Sequence, residues 1–579
     1  MSNLDEIILK LLNLLKQKEY LKVQKKALGA LKHYNNNLNI INILGLSYVN
    51  QKKFSKAELI FKKGLEINRA EPSLNNSLGN LYSRLNQHKQ AILYYNLALE
   101  SSDPPVEIYN NLGNAYRKTG LFLESLRTYQ KALRLKKNSP DLLLNCAILL
   151  LNLNKVSLAN IFLKKTLLFV KNKTNLYSSY IANLLYTNPL DLKLIQKELK
   201  NFNSLFSYNE NNNKINSYKN SKIRLGFVSA DLRVHPIGFF LFDVLSAMKI
   251  DFEIYAYYNN LVSDDETNKF SKLFDKWSVI FNQNDEEVFK LIKNDKIDIL
   301  FDLSGHSVKN RLGVFAKKPA KIQVSWAGYL MSTGLKQMDY IIVDPYVVKQ
   351  TDQKYYSEKF IFLNDIWCCY SNTSFLNIKV KKDLPLAANK FITFGSFNNL
   401  LKLNFEVIKV WSQILTNIPN SKLFLKNEML GHEFIKERIS KKFLDNGVKK
   451  DQLILEGLSP RSIFLQCYNR IDIALDTFPY NGGSTSFESS KMLVPLLTKQ
   501  GNFFVSRCGL SINKNLMMDD WIADTNNSYI EKAISFSNNI DYLYSINKKL
   551  ESTVDTSPLF NTEMFYKNLK KKIFELIKN

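Results

Sequence analysis

The residues best suited to chemistry sit in a few short passages. Asn481-Gly482-Gly483-Ser484-Thr485-Ser486-Phe487-Glu488 follows an apolar run, Asp472 to Leu475, that reads as a strand. A glycine-rich turn leading from a strand into a helix leaves first-turn N–H groups free to hold phosphate oxygens. Gly483, Ser484, Thr485 and Ser486 are the candidates for that task. Glu488, one turn in, sits where an acidic residue of dinucleotide folds accepts hydrogen bonds from ribose hydroxyls; a carboxylate there also complements the helix dipole, worth a few tenths to about 1 kcal/mol. Asn399 and Lys402 come just past a second strand-like run, Phe391 to Phe394. His235 follows a third, Ile223 to Val228, and a histidine's near-neutral pKa suits proton transfer. Far upstream, Asn42, Asn76 and Asn110 recur at a fixed interval, with Asn80 and Asn114 beside them. An amide both donates and accepts, so a column of amides could hold the backbone of an extended peptide without reading its sequence.

The asparagines belong to a repeat. At an offset of 34 residues the chain aligns Leu44-Gly45, Leu78-Gly79 and Leu112-Gly113, with Tyr48, Tyr82 and Tyr116 three places on. Ala57, Ala91 and Ser125 also align, as do Phe61, Tyr95 and Tyr129, then Gly64, Ala98 and Ala132; Pro72, Pro105 and Pro140 fall near each unit's end. That period is the tetratricopeptide repeat, a helical pair that buries its apolar face only against its neighbours. Three units carry the markers, and flanking segments 5–36 and 141–170 keep the apolar period without them, giving about five helical pairs. The small residues are expected to let the two helices of a unit approach, and the aromatics to fill the gap between stacked units. Asn42, Asn76 and Asn110, with Leu46, Asn80 and Asn114 one place after each glycine, are expected on the concave face.

A polar, Asn-rich stretch from Ser207 to Lys222 reads as a linker, and beyond it short apolar runs alternate with helical segments. That alternation predicts parallel sheets. Expected strands are Ile223–Val228, Glu253–Tyr258, Ile297–Leu303, Ile322–Trp326 and Tyr340–Val343, then Phe391–Phe394, Lys422–Leu425, Leu453–Leu455, Asp472–Leu475 and Pro495–Thr498. Two doubly wound lobes present their strand C-termini across a cleft, where such folds bind ligands. The predicted fold is α followed by α/β: a tetratricopeptide solenoid at 1–170, a helical and polar linker at 171–220, a first Rossmann-like lobe at 221–384 and a second at 385–579.

Four passages, IRLGFVSADLRVHP, DILFDLSGHSVKNRLGVFAKKPAKIQVSWAGY, FGSFNNLLKL and DIALDTFPYNGGSTSFES, occur in this order between residue 223 and about residue 535. Together they resemble the family of O-linked N-acetylglucosamine transferases and their plant-type O-fucosyltransferase relatives, which also carry tetratricopeptide repeats. The resemblance implies a GT-B fold with the acceptor on the side of the lobe at 221–384 and the nucleotide sugar in the lobe at 385–579, inversion at the anomeric carbon, no metal, and Ser or Thr hydroxyls of proteins as acceptors. It implies that Asn399 and Lys402 contact the diphosphate, where a metal-free transfer must neutralise the charge that grows as the glycosidic bond breaks. It places Arg461 beside the nucleotide, and Phe464 where relatives usually have a histidine stacked near the base. His235 matches the family's histidine near the acceptor. His306 stands where one branch has histidine and another tyrosine. Gly328 and Tyr329 open a loop bordering the donor sugar, in which Leu330-Met331 replaces a Pro-Gly of many relatives.

Composition narrows the classes. The 579 residues exceed the length of one core, so about two to four domains are expected. No uninterrupted apolar run reaches the roughly 18 residues of a membrane span. The N-terminus, with Asp5 and Glu6 ahead of its apolar residues, does not fit a signal peptide. The five cysteines show no CxxC spacing, and with five histidines unclustered no metal site is expected; a reducing cytoplasm fits. A net charge of +26 could suit nucleic acid, but the lysines are spread along the whole chain, which reads as a solvated basic surface. The resulting expectation is an inverting, metal-independent transferase that moves GlcNAc from UDP-GlcNAc, as co-substrate and with no cofactor, to protein acceptors recruited by the repeats. GDP-fucose or a UDP-hexose as donor stays open, as do a homo-oligomer and a non-catalytic repeat scaffold with a vestigial sugar-nucleotide site.

Overall fold

The computed structural model describes residues 3–207 and 222–578. Most of the expected linker stretch therefore lies outside the described residues. The chain divides into two compact units, Met1–Val170 and Lys171–Asn579.

The first unit is built of helical pairs. Among the described residues these are α1 (Asn3–Lys16) with α2 (Tyr20–Ala30), α3 (Leu38–Asn50) with α4 (Phe54–Ile67), α5 (Pro72–Arg84) with α6 (His88–Ala98), α7 (Val106–Lys118) with α8 (Phe122–Leu135), and α9 (Pro140–Asn152) with α10 (Val156–Thr166). The prolines begin helices rather than close units: Pro72 and Pro140 sit in the first turns of α5 and α9, and Pro105 precedes α7. Proline's fixed φ suits a helix start, where its missing N–H costs nothing.

The aromatics of the second helices, Phe61, Tyr95 and Tyr129, pack against the glycine of their own unit, while Tyr82 reaches across to the preceding unit, its hydroxyl donating to Glu58 at 2.7 Å. A Cβ on Gly45 would lie 2.2 Å from the Phe61 ring, one on Gly79 2.6 Å from Tyr95, and one on Gly113 2.4 Å from Tyr129. Each marker glycine thus seats the ring of its own pair's second helix. The Tyr95 and Tyr129 hydroxyls then donate to Asn80 Oδ1 (2.7 Å) and Asn114 Oδ1 (2.8 Å), so two of the expected groove amides are tied to this packing. The other column runs between units: Asn111 donates to Asn76 Oδ1 at 3.0 Å and Asn145 to Asn110 Oδ1 at 2.9 Å. Asn42 Oδ1 is buried with no partner among the described residues; Ser77 stands where Asn111 and Asn145 stand in the following units.

The second unit opens with α11 (Thr174–Leu184) and α12 (Leu192–Asn203), which the sequence reading assigned to a linker. They are integral to it. Ser178 of α11 meets His306 Nδ1 at 3.0 Å, the Phe202 ring of α12 lies 4.8 Å from the His306 ring, and Asn188 between them donates to Glu406 at 2.8 Å.

Two parallel sheets follow. The first contains β1 (Arg224–Ser229), β2 (Glu253–Tyr258), β3 (Lys276–Val279), β4 (Ile299–Asp302), β5 (Ile322–Ser325), β6 (Tyr340–Val343) and β7 (Lys359–Phe362), in the order β3-β2-β1-β4-β5-β6-β7. The second contains β8 (Thr393–Ser396), β9 (Lys422–Lys426), β10 (Leu453–Glu456), β11 (Ile473–Leu475), β12 (Leu496–Lys499) and β13 (Ile522–Ala523), in the order β10-β9-β8-β11-β12-β13. β4, β5 and β8 are buried along their whole length, as strands covered by helices on both faces must be. β3, β7 and β13 were not expected. All three are edge strands, two with an exposed residue and one only two residues long.

The boundary expected at 384/385 does not hold at the chain's end. Helix Thr562–Lys578 returns to the first lobe and packs on helix Pro236–Asp251, with Lys570 2.7 Å and the Tyr566 hydroxyl 2.6 Å from Asp251 carboxylate oxygens.

Candidate functional site

The second sheet builds one cluster at the carboxyl ends of its central strands. β11 ends at Leu475, and buried Asp476 receives the Gly482 N–H at 2.6 Å and the Thr498 hydroxyl at 2.7 Å, folding the segment between into a tight loop. Burial pushes the Asp476 carboxyl up to about 6. A Cβ on Gly482 would lie 2.2 Å from Ser486 Oγ, so only glycine fits, whereas Gly483 faces open space. Helix Ser484–Lys491 starts there. Ser486 N–H turns back to the Gly483 carbonyl at 2.9 Å, so the first-turn N–H groups open to an anion are those of Ser484 and Thr485 and not, as expected, Ser486 as well.

Lys402 reaches this loop from the turn after β8. Its ammonium donates to the Asn481 carbonyl at 2.7 Å and to Asn398 Oδ1 at 3.3 Å, and lies 4.4 Å from the Tyr480 ring centre. Burial lowers its pKa to about 8, against the pull of Asp476. Thr485 Oγ donates to the same Asn398 oxygen at 3.2 Å. Asn399 is exposed, and its Oδ1 caps the Leu401 N–H at 3.0 Å. The amide that meets both Lys402 and Thr485 is therefore Asn398, which the sequence reading passed over although it is the adjacent residue.

Glu488 departs from expectation. It is 2% exposed; Oε1 accepts from the Tyr370 hydroxyl and from Arg461, each at 2.8 Å, and Oε2 from the Tyr468 hydroxyl at 3.4 Å. A carboxylate so engaged is an internal anchor, and the role of ribose acceptor assigned to it is corrected on that ground. Arg461 is likewise committed: it donates to the Tyr370 hydroxyl at 2.8 Å and stacks 4.3 Å from the Phe239 ring centre. Since Tyr370 and Phe239 belong to the first-lobe side, this network clasps the two lobes together. Phe464 is half-buried, 5.4 Å from Phe397 and 5.7 Å from the Arg461 guanidinium.

On the first lobe, His235 caps helix Pro236–Asp251. Its Nδ1 accepts the Ile237 N–H at 3.3 Å, and its Nε2 lies 3.8 Å from Asp231 Oδ1. Burial lowers its pKa, favouring the neutral ring. A neutral ring accepting at Nδ1 carries its proton on Nε2, so His235 holds a donor on the side of Asp231. His306 is 1% exposed, with Nδ1 at Ser178 and Nε2 2.9 Å from the Thr333 carbonyl, and burial lowers its pKa to about 4. Both ring nitrogens are taken, so it is a packing residue and not part of a sugar-facing loop. Tyr329 packs on its ring at 5.2 Å with a buried hydroxyl that has no partner among the described residues. Gly328 runs so close to the Leu303 carbonyl that a Cβ would lie 1.8 Å from it.

The model of glycosyl transferase family 41 matches residues 199–382 and 370–569, well over half of the chain. The chain belongs to this family. Tetratricopeptide repeats match at 38–71, 72–103 and 106–139, the three units that carry the marker residues. Among curated relatives of this family 41 chain, one from Petunia hybrida, named as a probable UDP-N-acetylglucosamine–peptide N-acetylglucosaminyltransferase SPINDLY, is 31% identical over 366 residues, covering 61% of this chain and 39% of its own. A relative from Arabidopsis thaliana, named as a probable enzyme of the same activity, SEC, is 29% identical over 61% of this chain and 37% of its own. The chain thus spans about two fifths of the length of the curated relatives it matches. A solved mutant of the O-GlcNAc transferase of Thermobaculum terrenum aligns over 93% of this chain and 97% of its own with a TM-score of 0.73 at 24% identity. Family membership and that likeness agree on the fold, tetratricopeptide helices followed by a GT-B-like pair of parallel sheets.

Within this family 41 frame, no group of three or more His, Cys, Asp or Glu among the described residues is placed to hold a metal ion. No described helix is long and apolar enough to cross a membrane.

Proposed function

We propose that the chain is an inverting glycosyltransferase that moves a sugar from a nucleotide diphosphate donor to Ser or Thr hydroxyls of protein acceptors, with UDP-GlcNAc as the donor and the cytoplasm as the site of action. The single observation that carries this reading is the convergence of the Lys402 ammonium on the helix start at Ser484 and Thr485. The names of the curated relatives, which join UDP-N-acetylglucosamine to a peptide acceptor, support it. In this reading 1–170 recruits acceptors, the first sheet's lobe carries the acceptor side and the second sheet's lobe the donor.

The chemistry follows from charge. As the bond between the anomeric carbon and the β-phosphate oxygen breaks, negative charge grows on that oxygen, and a fixed ammonium with two helix-terminal N–H groups stabilises it more in the transition state than before. The acceptor hydroxyl oxygen forms the new bond from the opposite face, so an α-linked donor yields a β-linked product, and the hydroxyl proton passes to a base or to solvent. His235 orients the acceptor. Asn398 holds Lys402 and Thr485 in register. Asn76 and Asn110, whose Nδ2 groups stay clear of their contacts within the repeats, carry the acceptor's backbone.

Thermal-shift measurements against UDP, GDP and their sugars test the reading. A ligand at about 100 times its Kd stabilises by about 2.7 kcal/mol. UDP and UDP-GlcNAc are expected to raise the Tm, equally with and without EDTA. Silence for every nucleotide overturns the reading; a response to GDP-fucose alone moves the donor to GDP-fucose.

A further inference from the structure

The turn between α11 and α12 reaches the second sheet's lobe at the strand of chain that enters the glycine-rich loop. Tyr186 in this turn stacks on Tyr480, with ring centres 4.9 Å apart and planes 28° from parallel. Two residues on, Asn188 donates to Asn404 Oδ1 at 3.2 Å and to Glu406 Oε2 at 2.8 Å. Asn404 in turn donates through Nδ2 to the Phe478 carbonyl at 2.6 Å. The segment Phe478-Pro479-Tyr480 is therefore held from one turn at both ends, by a hydrogen-bond chain at Phe478 and by a ring at Tyr480. The hairpin itself is fastened to the first sheet's lobe, through Ser178 at His306 and through Asn203 Oδ1, which accepts the Lys336 N–H at 3.1 Å.

Tyr480 also meets Lys402, whose ammonium lies over its ring, 4.4 Å from the centre. Burial pushes the Tyr480 phenol well above its usual range, so the ring stays neutral and offers a π face rather than a counter-charge. Such a face attracts a cation most strongly where water is excluded. Burial works against the Lys402 charge, while Asp476 after β11 and Cys508 at the start of helix Cys508–Asn515 favour it. The Asp476 carboxylate is already engaged by the Gly482 N–H and the Thr498 hydroxyl, which leaves the ring as the contact that can follow the ammonium alone.

We infer that Tyr480 and Tyr186 are positioning residues for Lys402: the Tyr480 ring seats the ammonium beside the glycine-rich loop, and Tyr186, reaching in from the helical hairpin, holds that ring in place. The inference rests on the role proposed for Lys402 at the leaving diphosphate. Both tyrosines act through that lysine, and through Tyr186 the first lobe's hairpin bears on the chemistry of the second.

The test is the pKa of Lys402 itself, read by NMR titration of the ligand-free full chain carrying [ε-¹³C]lysine, with Lys402→Arg assigning the resonance. Tyr480→Leu keeps an apolar side chain but removes the π face. It is expected to lower the pKa by about 0.5–1.5 units and to move the alkaline limb of kcat/KM to lower pH by the same amount. Tyr186→Leu is expected to move both in the same direction by about half that step, whereas Tyr480→Phe and Tyr186→Phe, which keep the rings, stay within about 0.3 unit of the parent. Should Tyr480→Leu fail to fold by circular dichroism, Tyr186→Leu decides. A Lys402 pKa unchanged or raised in the folded leucine variants, or lowered as far by phenylalanine as by leucine, overturns the inference. The titration needs no sugar transfer, so a parent chain inactive with every nucleotide sugar would sink the transferase reading while the titration still decides what the two rings do.

Discussion

Replacing Lys402 by alanine removes the ammonium that donates to the glycine-rich loop. It donates to the Asn481 carbonyl and Asn398 and packs over Tyr480, so its position is fixed from three sides before any ligand arrives. A preorganised donor acts mainly where charge develops, and the loss of one such group typically costs about 10²- to 10³-fold in rate, or about 3–4 kcal/mol. Donor affinity is expected to change much less, because the ground-state diphosphate keeps the N–H groups of Ser484 and Thr485. Lys402→Arg is expected to rescue poorly, since a planar guanidinium cannot place its charge where the ammonium sits. The assay is single-turnover transfer of radiolabelled sugar, with calorimetric titration of UDP and circular dichroism on the same preparation. A folded Lys402→Ala enzyme that keeps kcat within about threefold of the parent refutes the reasoning.

The pKa of Lys402 gives a second outcome. Lowered to about 8, the ammonium is present below that pH and lost above it, so kcat/KM should fall about tenfold per pH unit beyond about 8; a profile flat to about pH 9.5 contradicts this. Glu488→Ala strands Arg461 and the Tyr370 hydroxyl between the lobes, and should destabilise by about 3–5 kcal/mol while Glu488→Gln costs less; equal Tm values for the two variants and the parent would deny the clasp. Asn114→Ala removes the acceptor of the Tyr129 hydroxyl and should cost the repeat unit about 1–3 kcal/mol, whereas Asn76→Ala should mainly weaken modification of protein acceptors; denaturation of 1–170 and transfer to protein against short peptide separate the two. His235→Asn, which keeps a donor, should retain more transfer than His235→Ala; equal losses would argue for a base.

Strands inside each sheet were legible where burial on both faces writes an apolar run, as in β4, β6 and β9. β3 and β13 were not, since β3 is only partly buried and mixed in character and β13 is two residues long, while the edge strand β7 was missed although it carries Phe360, Ile361 and Phe362. The glycine-rich turn and Lys402 were legible from spacing, while the divided labour of Asn398 and Asn399 was not, because which of two adjacent amides faces inward depends on the turn's dihedral angles. Glu488 and His306 show the commonest loss. A titratable residue in a motif reads as reactive, and only its neighbours, Arg461 and Tyr370 in one case and Ser178 and Thr333 in the other, reveal that its capacity is spent within the fold. Likewise α11 and α12 looked like a linker because their partners lie far along the chain, at His306 and Glu406.

The most direct test of the central claim is product analysis after incubating the full chain with UDP-GlcNAc labelled in the sugar, a Ser/Thr-containing protein acceptor and EDTA. The account predicts label in the protein, released by alkaline β-elimination, with a β-anomeric linkage by NMR. Label that appears only when a divalent cation is supplied, an α linkage, or an unlabelled protein with UDP-GlcNAc, GDP-fucose and UDP-hexoses alike would contradict it.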